Sequence, residues 1–152
     1  MSNGQVIIKI NNVAKVRKAV TGAQLKAAVL AGGHVIEGYA KINVEKTFSH
    51  KSVGGAGLGG SIQTVLSKST ATSAEVDVGP TVIYGRIQEL GGIVRPVIAK
   101  MLSWVDDGVR IFAKLVHIPA RPYLRPAVDE NLDRIGDAIS YQLREQIELA
   151  VR

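Results

Sequence analysis

Apolar and polar residues change rhythm several times along the chain. Residues 5–11 alternate loosely, Val6, Ile8 and Ile10 against Ile7, Lys9 and Asn11, which predicts a short strand or an ordered arm. From there Val16, Val20, Leu25, Val29, Val35, Ile36, Tyr39 and Ile42 recur near helical spacing in alanine-rich sequence. They predict one long helix over about 12–43, in which Gly32-Gly33 marks a kink or a close helix contact. Residues 46–60 carry five glycines within 54–60, and glycine loses the most backbone entropy on ordering, so this segment reads as a mobile loop. Ser61–Ser67 and Ala74–Val78 alternate with period two and predict two strands joined by a turn at 69–73. Val82, Ile83, Ile87 and Leu90 fall on one side of a short helix at about 81–90, ended by Gly91-Gly92.

The segment 97–117 predicts a β-hairpin, with arms 97–104 and 109–116 around an Asp107-Gly108 turn. A proline-punctuated extended link follows at 118–126. Val128, Leu132, Ile135, Ile139, Leu143, Ile147 and Val151 then step by three or four, with charges on the opposite side. They predict a last helix over 126–151, with Pro126 in its first turn and acids at 129, 130 and 133 complementing the dipole. The expectation is one α+β domain over 1–152, with two long helices packed on a small antiparallel sheet and the short helix beside them.

Composition mainly removes possibilities. At 46% hydrophobic residues the 152-residue chain can fill a core, and with 5% aromatics that core must be aliphatic. The absence of cysteine excludes disulfides and thiolate metal sites, and His34, His50 and His117 show no ligand spacing. No metal or cofactor is expected. The polar start does not read as a signal peptide, and charges with a Gly-Gly pair interrupt the most apolar stretch, so no membrane span is expected. The net charge of +6 is dispersed, without a run of five cations, which weakens but does not remove a nucleic-acid-binding module as a rival function.

Catalytic motifs fare poorly. Gly55-x-Gly57-x-x-Gly60, with Glu75 and Asp77 downstream, has the spacing of a dinucleotide fingerprint, but no hydrophobic strand precedes it and a strand, not a helix, is expected after it. No Gly-Lys-Ser or Gly-Lys-Thr follows, and no serine sits in a nucleophile elbow. Glu75 and Asp77 share a strand face, where solvation competes with cation binding; Asp106-Asp107 belongs to a turn. No enzyme activity is expected. The Arg-Pro pairs at 95–96, 121–122 and 125–126 are less ordinary. In the stiff 118–126 link, either the prolines only aim the last helix, or Arg121 and Arg125 hold carboxylates of a neighbouring subunit.

Three landmarks in order carry a family resemblance. Gly57, Leu58, Ser61 and Ile62 after a long helix look like a Gly-x-Leu-x-x-Ser-Ile turn lacking one residue. Tyr84-Gly85 through Glu89-Leu90-Gly91 is similar to a Tyr-Ala-x-x-x-Glu-Phe-Gly helix, with Gly85 for the alanine and Leu90 for the aromatic. Pro119 to Ala127 looks like the Pro-x-x-Pro-Phe-Leu-x-Pro-Ala segment before a final helix. Together they resemble the head–tail joining (neck or tail-completion) proteins of long-tailed bacteriophages, with Mu-like virion morphogenesis proteins as a related branch.

That resemblance implies a structural protein of the virion neck, assembled in the host cytoplasm. It implies rings of six or twelve copies around the DNA channel. The neighbours would be the connector or head-completion protein on one side and the tail terminator or tail tube protein on the other. A tail-tube terminator acting before joining is the close alternative. DNA would pass through the lumen without sequence-specific binding. Leu58, Ser61, Tyr84, Glu89, Arg121, Tyr123, Leu124 and Arg125 are the expected interface residues, together with the 46–60 loop and the 97–117 hairpin.

Overall fold

A computed structural model describes residues 6–10, 21–48 and 55–151. The elements run β1 (Val6–Ile10), α1 (Gly22–Thr47), α2 (Gly55–Ser61), β2 (Ile62–Ser69), β3 (Ala74–Pro80), α3 (Gly85–Leu90), β4 (Gly92–Val94), β5 (Leu102–Asp106), β6 (Val109–Ala113), β7 (Val116–Ile118), α4 (Leu124–Asp129) and α5 (Leu132–Val151). The fold is α+β, with long helices and small antiparallel sheets.

Helix α1 is the spine. Its backbone starts where the Thr21 amide donates to the Gln24 side-chain oxygen at 2.7 Å; residues 12–20, where the periodicity places the beginning of the predicted helix, lie outside the described part. Leu25, Ala28, Val29, Ile36, Ala40 and Val44 are buried along it. One side rests on the three-stranded sheet β1-β3-β2, the other on α5. In β3, the central strand, Ala74, Val76 and Val78 point into the core, as alternation requires. Strand β2 pairs with β3 through a register shift between Leu66 and Lys68.

The Gly32-Gly33 pair lies inside the continuous helix α1 and lets two layers approach it. A Cβ at Gly32 would lie 2.8 Å from Ile139 Cγ1 of α5, and one at Gly33 would lie 2.4 Å from Thr64 Cγ2 of β2. Glu37, one turn on, ties helix to sheet edge. Its carboxylate accepts the outward-facing Thr64 amide at 2.9 Å and pairs with Lys41 Nζ at 2.6 Å, with His34 Nδ1 at 3.5 Å. Burial pushes the carboxyl pKa up, but the Lys41 and Thr64 hydrogen bonds and the Lys41 charge outweigh it, leaving the value below 4.5. A depressed folded value gives stability that is present above the unfolded pKa and lost as pH falls through the folded one. The wild type should therefore lose its melting-temperature advantage over Glu37→Gln as pH falls below the unfolded carboxyl value and through the lower folded one. An advantage that persists at the acid end would mean that Glu37 stabilises without its charge.

Two expected elements take a different form. Residues 55–61 of the glycine-rich segment are a helix, α2, not a loop, and 49–54 lie outside the described residues. Tertiary support overrides glycine's entropy cost here: Leu58 is fully buried against the core, and Ser61 Oγ donates to the Leu58 carbonyl at 2.8 Å. The last helix is two helices. The Asn131 amide donates to the Val128 carbonyl and its Nδ2 to the Ala127 carbonyl, both at 3.1 Å, which ends α4 before α5 starts. The break turns Leu132 out to solvent while Ile135 stays buried.

Candidate assembly site

The site is built from a buried clasp and the arm that leaves it. Helix α3 is shorter than the predicted 81–90, starting at Gly85. Gly85 is where α3 passes Pro80: a Cβ there would meet the proline ring at 2.3 Å and the Tyr123 hydroxyl at 3.2 Å. The helix ends on Gly91, whose φ of +69° and close approach to the Ala120 amide both call for glycine. Segment 118–126 runs back along α3. The Arg121 amide donates to the Gln88 carbonyl at 2.8 Å, and the Tyr123 hydroxyl to the Gly85 carbonyl at 3.1 Å.

Glu89 holds the clasp shut. Its carboxylate is buried and accepts the amides of Tyr123 (2.7 Å), Leu124 (2.9 Å) and Arg125 (3.0 Å). These are the N-cap and the first two residues of α4, whose amides have no partner inside the helix. Pro126 comes next and has no amide to satisfy. A carboxylate from another helix thus caps α4, where the helix dipole also favours negative charge. Asn43 Nδ2 of α1 adds a bond to the Tyr123 carbonyl at 3.1 Å. Burial, and the Glu89 charge after it, push the Tyr123 phenol well above its usual pKa, so it stays protonated.

The expected interface residues thus divide. Leu58, Ser61, Glu89, Tyr123 and Leu124 are buried and hold the chain to itself; Tyr84 is half-buried with its hydroxyl against Gly57. Arg121 and Arg125 are exposed. The Arg121 guanidinium lies over the Phe48 ring at 5.6 Å, and Arg125 makes a solvent-exposed 3.5 Å pair with Asp129. The three landmark motifs converge in space, because Leu58, Ile62, Tyr123, Leu124 and Ala127 share one core cluster, with Tyr84 against it.

From this clasp the chain leaves and returns through β4 and β7, paired Gly92↔Ile118, Ile93↔His117 and Val94↔Val116. Beyond them β5 and β6 form a second ladder closed by Asp107 and Gly108, at φ +45° and +80°. Positive φ at both loop positions is the twist-matched hairpin turn that Asp-Gly predicts. The predicted hairpin of 97–117 is therefore two short ladders. Residues 97–101 lie outside both, and Val116 pairs with β4 rather than with β5.

This arm buries little. Val97 is 96% and Ile98 100% exposed, and Trp104, Val105, Val109, Phe112 and Leu115 are exposed too. Trp104 and Val109 lie on one face of the ladder, Val105 and Phe112 on the other. Among the described residues no helix or third strand covers either face. At the base Ile83, Arg86, Ile87, Leu90, Gly91, Gly92 and Ile93 surround an open cavity of about 350 Å³. Sequence reasoning marked the hairpin but not these side chains. The signal was there, since both arms carry apolar residues at odd and even positions, and alternation would have given only one apolar face.

Glu75 and Asp77 lie half-buried on the outer face of β3, and no group of three or more His, Asp or Glu capable of holding a metal occurs among the described residues. No described helix is long and apolar enough to cross a membrane. Comparison with family models, curated proteins and solved structures finds no match to this chain.

Proposed function

We propose that this protein is a structural component of a long-tailed phage virion, not an enzyme, and that it forms a ring at the neck joining the DNA-filled head to the tail. The observation that carries the proposal is the arm. An isolated two-stranded hairpin is marginally stable in water, and contiguous exposed apolar surface usually marks a contact site. An arm with two apolar faces is suited to being covered by another protein. Its root is pinned by the Glu89 clasp, which fixes the direction in which it projects. An arm on one side and a separate receiving surface on another give the two unlike faces that a head-to-tail ring needs. The ordered motifs of the resemblance add the neck as the place, with a connector and a tail protein as neighbours and DNA in the lumen.

The test is genetic and visual. Interrupting the coding sequence in the phage should leave filled heads and finished tails unjoined in electron micrographs, and complementation should restore whole particles. Normal infectious particles without the protein would refute the proposal. The rival, a nucleic-acid-binding module, instead requires tight duplex binding by the isolated chain that weakens steeply with salt.

A further inference from the structure

We propose that the arm tip of one copy seats in the cavity at the arm base of the next copy, so that a single head-to-tail contact propagates around the ring. This rests on the ring-forming reading above and specifies its contact. The two surfaces match in chemistry. The tip presents Val105 and Val109, both more than 60% exposed, on either side of Asp106-Asp107. The cavity presents Ile83, Ile87, Leu90 and Ile93 with Arg86 as its one charged side chain. Ile83 is 98% exposed and Leu90 58%, which is unusual for large aliphatic residues grouped around one hollow. Arg86, Asp106 and Asp107 are exposed and have no ion-pair partner among the described residues. The tip holds the only two acids of the arm, whose remaining charges (Arg95, Lys100, Arg110 and Lys114) are all basic. An apolar plug with an acidic end thus faces an apolar socket with a basic rim.

The occupant is a second copy and not the chain's own tip. Ile93, which lines the socket, belongs to β4 at the arm's root, while Asp106-Asp107 stands at the far end of β5. The β5–β6 ladder carries the tip roughly 13 Å beyond its open end at Leu102↔Ala113, at ~3.3 Å per residue. The chain's own tip leaves Ile83 open to solvent. Plug and socket at opposite ends of one arm cannot satisfy each other within a chain. Between chains they form a heterologous contact, which repeats until the rotation closes it.

The cysteine-free sequence makes the contact directly testable. Full-length Ile83→Cys and Asp106→Cys variants, mixed and mildly oxidised, should give a disulfide-linked dimer that neither variant gives alone. The chain carrying both should give a ladder of cross-linked species. In parallel, Arg86→Glu should raise the concentration needed for assembly at least about tenfold in sedimentation, the scale expected for a partly desolvated charge pair. Adding Asp106→Lys to that chain should restore assembly, and both substitutions are at exposed positions without positive φ. Cross-linking no greater in the mixture than in the single variants overturns the plug-and-socket contact. So does unchanged assembly of Arg86→Glu, or a wild type that stays monomeric at every soluble concentration. Deleting residues 97–113 separates the two levels. If deletion abolishes assembly while Arg86→Glu does not, the arm still builds the ring through another contact; if neither changes assembly, the arm-built ring falls as well.

Discussion

Glu89→Ala should lower the unfolding free energy by about 3–5 kcal/mol, the sum expected from stranding several buried amide donors at about 1–3 kcal/mol each. The substitution deletes one carboxylate but leaves three amides, those of Tyr123, Leu124 and Arg125, without their acceptor. Each unpaired buried donor costs about 1–3 kcal/mol, moderated where water reaches the partly buried Arg125 amide. Glu89→Gln should cost less. Its one remaining oxygen still accepts, but its NH2 group then faces an amide donor. Denaturant titration of both variants should rank them wild type, Gln, Ala. Equal stability of all three would mean that the cap is not what holds α4. The expected consequence reaches beyond stability, because the same bonds fix the link that closes the arm's root. Glu89→Gln, still folded, should assemble more weakly than wild type, and normal assembly would detach the clasp from the arm.

The second large effect is expected at Gly33. Helix α1 touches the sheet here so closely that a Cβ would stand 2.4 Å from Thr64 Cγ2 and 3.2 Å from Val76 Cγ2. Alanine gains about 1 kcal/mol of helix propensity over glycine, but overpacking a close-packed layer typically costs about 1–3 kcal/mol. Rotation of the Thr64 side chain can relieve part of the alanine clash. It cannot admit the branched side chain of Gly33→Val, which should destabilise by at least about 3 kcal/mol. Gly38, on the same helix with nothing within 4 Å of its Cβ position, is the control. Gly38→Ala should stabilise by about 0.5–1 kcal/mol. If thermal melts place Gly33→Val beside wild type, the helix–sheet spacing is not set at this glycine.

Residues with a local signature were legible. The 3.6-residue rhythm of Leu25, Val29 and Ile36 marked α1, and alternation marked β2 and β3. Asp107-Gly108 gave the hairpin turn because two positive φ angles are a demand on those two residues alone. The candidate site was less legible. Tyr123 and Leu124 looked like anchors for a partner, since an apolar pair between prolines carries no mark of which surface will cover it. They are buried inside the chain instead.

By itself, then, the sequence determined the α+β class, the succession of α1, β2, β3 and α3 and the lack of cysteine chemistry, all of which follow from periodicity or composition. The tertiary structure decided what depends on partners distant in the chain. Glu89 is a charge on a short helix until residues 34 to 36 positions away bring their amides to it. Residues 55–61 are helical only because Leu58 finds a core, which glycine propensity cannot register. Leu132 lies outside because Asn131 breaks the helix ahead of it, although the spacing alone would put it inside. The arm was visible as a hairpin, but its isolation was not, because exposure belongs to the folded surroundings and not to the segment.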